Sequence, residues 1–169
     1  MPSKRKLACM TGVEGFVYDD VFGGRVFMLS AKTCREMVRL LAESMSKPAA
    51  DALMWNIGMR YGMALGRRAA VISRSADEQI RSLALSALKA GWGVPQVTNN
   101  LATTGTVEVV MNSCVFCDGL MGEDSPHCFF LSGVLNGIAE TIFNTSFRTI
   151  ETECSAMGAK ACKFNITKI

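Results

Sequence analysis

Apolar residues recur at helical spacing in several stretches of this chain and cluster in short β-rich runs between them. After the capping residue Ser30, a stripe of Cys34, Met37, Leu40 and Leu41 predicts a helix over Ala31–Ser44 with that stripe buried. Pro48 marks the first turn of a second helix running toward Arg67, with Leu53, Ile57, Tyr61, Ala64 and Leu65 at helical spacing. Gly58, Gly62 and Gly66 follow one another four apart on it. Glycine weakens a helix, so this seam predicts the close approach of another backbone, with a packed helix the simpler choice and a ligand the other. Ser75 and Gly91 bound a third helix, Asp77–Ala90, with Ile80, Leu83, Leu85 and Leu88 on its apolar side.

Strand patterns fill the gaps. Arg25–Leu29 follows Gly23-Gly24 and pairs as a hairpin with Glu14–Tyr18. Val94–Leu101 and Thr106–Met111 form a second hairpin about Thr103-Thr104-Gly105, and Thr145–Glu153 with Ala161–Ile169 a third, turning near Met157-Gly158. Ser125-Pro126 predicts the start of a further helix in which Cys128, Leu131, Leu135, Ile138 and Ile142 form one inward stripe, flanked by Gly133 and Gly137. Helices and antiparallel hairpins in blocks give an α+β fold, an antiparallel sheet with flanking helices, in one domain spanning residues 1–169.

Composition narrows the function. A 169-residue chain that is 49% apolar and 8% aromatic buries a full core and is not disordered. A formal charge of +3 with interspersed signs gives no field suited to nucleic acid or an anionic membrane, and Lys4-Arg5-Lys6 reads as a solvated tail. No apolar run reaches the length of a membrane span, and Thr11, Gly12 and Glu14 break the stretch that a secretory signal would need. Seven cysteines, an odd number, then fit the reducing cytoplasm, and the sequons at Asn144 and Asn165 are coincidental.

The cysteines carry the candidate chemistry. Cys154 and Cys162 flank the terminal turn, which brings them together with room for an ion. Glu151 lies three residues before Cys154, on the opposite face of a flat strand, so both reach one ion only where the strand bends or ends between them. Cys128, at a helix start that favours the thiolate, offers a fourth ligand. A zinc ion with these four ligands is closed, hence structural, and its negative charge is offset by Lys160, Lys163 and backbone N–H groups. Spacing alone leaves ordinary buried thiols and a Cys154–Cys162 disulfide open beside zinc. Cys114-Val-Phe-Cys117 suits metal binding, thiol redox chemistry or free thiols, while Cys9 and Cys34 have no evident partner. His127 is the only histidine, which excludes sites needing two, and no phosphate loop, nucleophile elbow or paired carboxylates appear. Trp92, Phe129, Phe130, Phe143 and Phe147 serve equally as core or as the lining of an apolar pocket.

Two segments resemble the C-terminal signature of the 4-vinyl reductase domain family. They are Pro126-His-Cys-Phe-Phe-Leu-Ser-Gly-Val-Leu-Asn-Gly137 and Ile150-Glu-Thr-Glu-Cys-Ser-Ala-Met-Gly-Ala-Lys-Ala-Cys-Lys-Phe164; the upstream half fits more loosely, through Gly24-Arg-Val and the Gly58 to Arg68 helix. The resemblance extends to the aromatic-sensing domains of phenol-responsive activators, a bacteriochlorophyll-synthesis protein and vesicle-tethering subunits. It implies the fold of ligand-binding domains in nitric-oxide signalling and Golgi transport. It also implies a homodimer, a pocket next to a zinc-bearing lobe, and zinc held at Cys128, Glu151, Cys154 and Cys162. The His and Trp that orient phenol in the sensors are not both matched, since no histidine precedes His127, so phenol is not implied.

The function expected is therefore binding or sensing of a small apolar or aromatic ligand, relayed to a partner protein, with no direct contact to nucleic acid or membrane. The alternatives are a tetrapyrrole 4-vinyl reductase or its accessory, a scaffolding subunit, and a thiol redox sensor using Cys114 and Cys117. Reduction needs a hydride donor, and no dinucleotide fingerprint is present, so an enzyme is not the expectation.

Overall fold

The described residues of the computed structural model, 17–19, 24–26 and 29–169, form six strands and five helices. The expectations for Lys4-Arg5-Lys6, Cys9 and the start of the first hairpin lie outside them. β1 (Val17–Asp19) and β2 (Gly24–Val26) pair as an antiparallel ribbon with Val17 opposite Val26. Then come α1 (Ala31–Ser44), α2 (Lys47–Ile72), α3 (Ala76–Lys89), β3 (Val94–Asn100), the single turn α4 (Leu101–Thr104) and β4 (Thr106–Asn112). The chain ends with α5 (Phe129–Phe143), β5 (Phe147–Glu153) and β6 (Cys162–Lys168). The second sheet is wholly antiparallel in the order β3-β4-β6-β5, so the architecture is α+β as the block pattern predicts.

Local chemistry explains most boundaries. The Ser30 hydroxyl accepts from the Thr33 N–H at 3.1 Å and the Ser75 hydroxyl from the Glu78 N–H at 3.5 Å, starting α1 and α3. α2 runs past Arg67 to Ile72 and closes where the Ser73 N–H reaches the Ala69 carbonyl at 3.1 Å. The connection between β3 and β4 winds into a helical turn that ends on Gly105, whose φ of 70° suits glycine.

Two expectations are corrected. α5 begins at Phe129 rather than at Pro126, with Cys128 as its N-cap. Tertiary bonds outbid the local signal, since the Ser125 hydroxyl is taken by Lys47 Nζ at 3.3 Å and the Cys128 N–H by Glu151 Oε2 at 2.9 Å. α1 buries no residue, and Met37 and Leu40 on its supposed inner stripe are 53% and 52% exposed.

α5 is the centre of the packing. One side lies on the sheet, where β4 alternates cleanly and sends Val107, Val109 and Met111 inward beside Phe164 and Ile166 of β6. The other side meets α2 backbone to backbone. A Cβ on Gly58 would sit 2.1 Å from the Phe130 carbonyl oxygen, and one on Gly62 the same distance from that of Val134. Reciprocally, a Cβ on Gly133 would lie 2.1 Å from the Trp55 oxygen and one on Gly137 2.2 Å from the Met59 oxygen. The glycine seam is thus used for helix packing. Buried Asn136 ties α5 to β5: its Nδ2 donates to Glu140 Oε1 at 3.2 Å and its Oδ1 accepts from the Thr149 hydroxyl at 3.0 Å. Glu140 Oε1 in turn accepts from the Phe147 N–H at 3.3 Å.

Because rigid backbone occupies the space on both sides, Gly62→Ala or Gly133→Ala must push the helices apart. Each substitution is expected to cost about 3 kcal/mol or more in urea denaturation; a loss below about 1 kcal/mol would show that the seam yields easily.

Candidate metal centre and the adjoining cavity

Three separate segments deliver thiols to one spot beneath α5. Cys117 closes a 3₁₀ turn, Val115–Cys117, just after β4; Cys128 caps α5; Cys154 follows β5, and Cys162 opens β6 across the terminal turn. The pairing of β5 with β6 shifts register between Glu151 and Glu153. That bulge and the end of the strand at Glu153 supply the bend that Glu151 and Cys154 need to face one point. The Sγ atoms of Cys117, Cys128, Cys154 and Cys162 and a Glu151 carboxylate oxygen all lie within 4.8 Å of one another.

The distances are those of unbonded thiols. Cys117 Sγ lies 3.2 Å from Cys128 Sγ, 3.4 Å from Cys154 Sγ and 3.5 Å from Cys162 Sγ, and Cys128 to Cys162 is 3.7 Å. Cys154 and Cys162 are free thiols, so the disulfide alternative is not formed. Cys114 touches the cluster from outside, 3.7 Å from Cys128 Sγ, and Cys34 sits apart on α1. His127 is not among the grouped ligands.

Electrostatics mark the cluster as a cation site. Hydrogen bonds with Cys114 and the neighbouring thiols, together with burial, hold Cys117 and Cys128 far above the ordinary thiol range. Hydrogen bonds with Cys114, Cys117 and Cys128 pull Cys162 well below it, and the bond with Cys128 brings Cys154 down to about 5. Desolvation, then the bond with Cys154, pushes Glu151 up to about 9. Its Oε2 accepts the Cys128 N–H, while Oε1 is buried without a partner. Crowded acidic groups with an orphaned oxygen lack only positive charge, so the cluster can hold a metal ion.

One helical turn along α5 the interior opens into an apolar cavity of about 80 Å³. Trp92, Val109 and Met111 line it from the sheet side and Leu131, Leu135 and Ile138 from α5, with Leu83 and Ala87 of α3 closing a third side. The one hydroxyl in the wall, on Ser86, turns back to the Ser82 carbonyl at 2.8 Å.

The structure distributes the predicted pocket aromatics unevenly. Trp92 and Phe143 line the cavity. Phe129, Phe130 and Phe147 are not in its wall: Phe130 stacks among Tyr61, Trp92 and Phe116, Phe129 lies under Lys47 Nζ at 5.5 Å, and Phe147 packs on Phe143 at 5.7 Å. Sequence reasoning kept Cys117 apart from the other cysteines of the cluster because nothing local announces that its loop folds back over α5.

Residues 107–168 match the family model of the 4-vinyl reductase domain. An uncharacterized protein of Methanocaldococcus jannaschii is 32% identical over 66 residues, 39% of this chain and 41% of its own length, so the chain matches about two fifths of that relative. Among solved structures, the phenol-responsive sensory domain of the transcription activator PoxR, crystallised with phenol, superposes with a TM-score of 0.73 at 17% identity, covering 85% of this chain and 77% of that one. A vinyl-4-reductase family protein from Methanocaldococcus jannaschii gives 0.64 at 16% identity over 85% of this chain and 84% of that one. Subunit 3 of a trafficking protein particle complex from Naegleria fowleri, covalently bound to palmitic acid, gives 0.60 at 16% identity over 82% and 95% of the two chains. At these identities the structures share the fold, and with the family match they establish that the chain carries a 4-vinyl reductase domain over residues 107–168, within an α+β fold common to the proteins of that family and their trafficking-complex counterparts.

Proposed function

We propose that this chain binds a small apolar ligand, of the size of a single ring, in the cavity beside α5. In this reading a structural zinc ion at the thiol cluster fixes the end of that helix. The observation that carries the reading is the sharing of one helix: α5 is capped by Cys128 and, one turn later, presents Leu131 and Leu135 to the void. About 80 Å³ accommodates roughly five to eight water-sized volumes at ~10–15 Å³ each. That is far below a tetrapyrrole macrocycle, and it favours ligand binding over vinyl reduction. The likeness to a sensory domain solved with phenol supports a small-ligand role, although the apolar wall here favours the ring over its hydroxyl.

Zinc is the metal that suits the donors. Thiolates select soft or borderline ions, and a set of four protein ligands leaves no open position for catalysis. Cys128, Cys154 and Cys162 belong to the set, and the resemblance to the phenol sensors favours Glu151 as the fourth. The domain then acts in the cytoplasm as a homodimer, passing ligand occupancy to a partner protein.

Native mass spectrometry of protein purified without chelator is expected to show one zinc per chain, lost on Cys162→Ser. Because thiols and carboxyl must shed protons to bind, acidification releases the metal and raising the pH restores it. Retention of the ion in Cys162→Ser would remove this cysteine from the site. For the cavity, Ala139→Leu fills the void from α5. It is expected to weaken toluene binding, followed by calorimetry, at least tenfold while leaving the zinc content and the melting temperature near their original values; equal toluene affinity in both proteins would rule out this cavity as the site.

A further inference from the structure

Five donor atoms converge where a structural zinc takes four, so one of them must stand aside. We infer that Cys117, and not Glu151, completes the set, so that the metal is held by the four thiolates of Cys117, Cys128, Cys154 and Cys162. The inference deepens the metal reading proposed above and depends on it.

Distance carries the argument. Zinc–sulfur bonds of about 2.3 Å place the sulfurs of a tetrahedral site about 3.8 Å apart. Cys117 Sγ stands 3.2, 3.4 and 3.5 Å from the other three sulfurs, as the apex of a tetrahedron does over its base, and the one measured edge of that base, Cys128 to Cys162, is 3.7 Å. Opening the cluster by a few tenths of an ångström yields the metal-bound spacing. Cys114, by contrast, meets only the Cys128 sulfur, at 3.7 Å, and is not in the mutually close group.

Glu151 already has another task. Its Oε2 accepts the Cys128 N–H at 2.9 Å, replacing the capping bond that a cysteine at the start of α5 cannot make for itself. Moving this carboxylate onto the metal would strain or break that bond, whereas Cys117 needs no such exchange. The soft character of the remaining three donors points the same way, since a fourth thiolate matches them better than a carboxylate. Glu151 then orients Cys128 as a neighbour of the site, with Oε1 facing the sulfurs.

Cobalt(II) substitution separates the two sets. The chain is stripped under reductant and titrated with Co²⁺ while the near-ultraviolet thiolate-to-cobalt charge-transfer band is recorded. Cys117→Ser is expected to lower that band by about one quarter, four thiolates becoming three, and Glu151→Gln to leave its intensity unchanged. A band unchanged in Cys117→Ser, with a shifted visible spectrum in Glu151→Gln, overturns the inference and leaves the metal reading standing. Failure of the original chain to take up any Co²⁺ or Zn²⁺ overturns the metal reading itself. Should Cys117→Ser not fold, X-ray absorption on the zinc-loaded original chain decides: four sulfurs in the first coordination sphere support the inference, and three sulfurs with one oxygen refute it.

Discussion

The direct contact between the backbones of α2 and α5 is the constraint on which the other features depend. Gly58 and Gly62 on one helix and Gly133 and Gly137 on the other remove every Cβ from the seam, so carbonyl oxygens occupy the space that side chains would fill. With α5 fixed on that side, its opposite face must complete the core over the sheet, where β4 and β6 offer Val107, Val109, Met111, Phe164 and Ile166. Little freedom remains for the helix to slide, and the network from Asn136 to Thr149 and Glu140 pins it to β5 as well. A helix so placed has a firmly located N-terminus, and that end lies among the cysteines.

The cluster beneath that N-terminus follows from topology. An antiparallel order of β3-β4-β6-β5 sets the end of β4 and the start of β6 side by side, with Met111 opposite Cys162. The loop that leaves β4 therefore begins next to the turn that joins β5 to β6, and α5 starts above both. Burying several thiols together is unfavourable without positive charge, because ionised members repel and neutral ones make weak hydrogen bonds. The opposed acidities of Cys154 and Cys128, one lowered and the other raised, express that conflict.

Much of this was legible in the chain itself. The four-residue glycine spacing announced a close backbone approach, the alternation of Val107, Val109 and Met111 marked one inward strand face, and the three-residue gap from Glu151 to Cys154 demanded the bend that the bulge provides. Local rules failed where tertiary partners compete. Ser125-Pro126 is a sound helix start, yet Lys47 and Glu151 claim the groups that would have capped it. Cys117 was grouped with Cys114 by sequence proximity, although a 3₁₀ turn carries it into contact with Cys128, Cys154 and Cys162. The cavity wall was the least accessible feature, since whether an apolar residue meets a neighbour or a void depends on how the layers fill space, and no spacing records that.

The cavity and the cluster are physically joined through Trp92. Its ring lines the cavity and meets Phe116 edge-on at 5.6 Å, while its carbonyl accepts the Val115 N–H at 3.0 Å. Val115 and Phe116 immediately precede Cys117, so the same short turn contacts the cavity wall at one end and the sulfurs at the other. Met111 repeats the connection within the sheet, lining the cavity and pairing with Cys162. A ligand whose bulk displaces the indole thus works against a turn anchored at the cluster, and a firmly held Cys117 raises the resistance of that wall. Binding energy in such an arrangement divides between filling the void and deforming the turn, and only the second part is transmitted beyond the cavity.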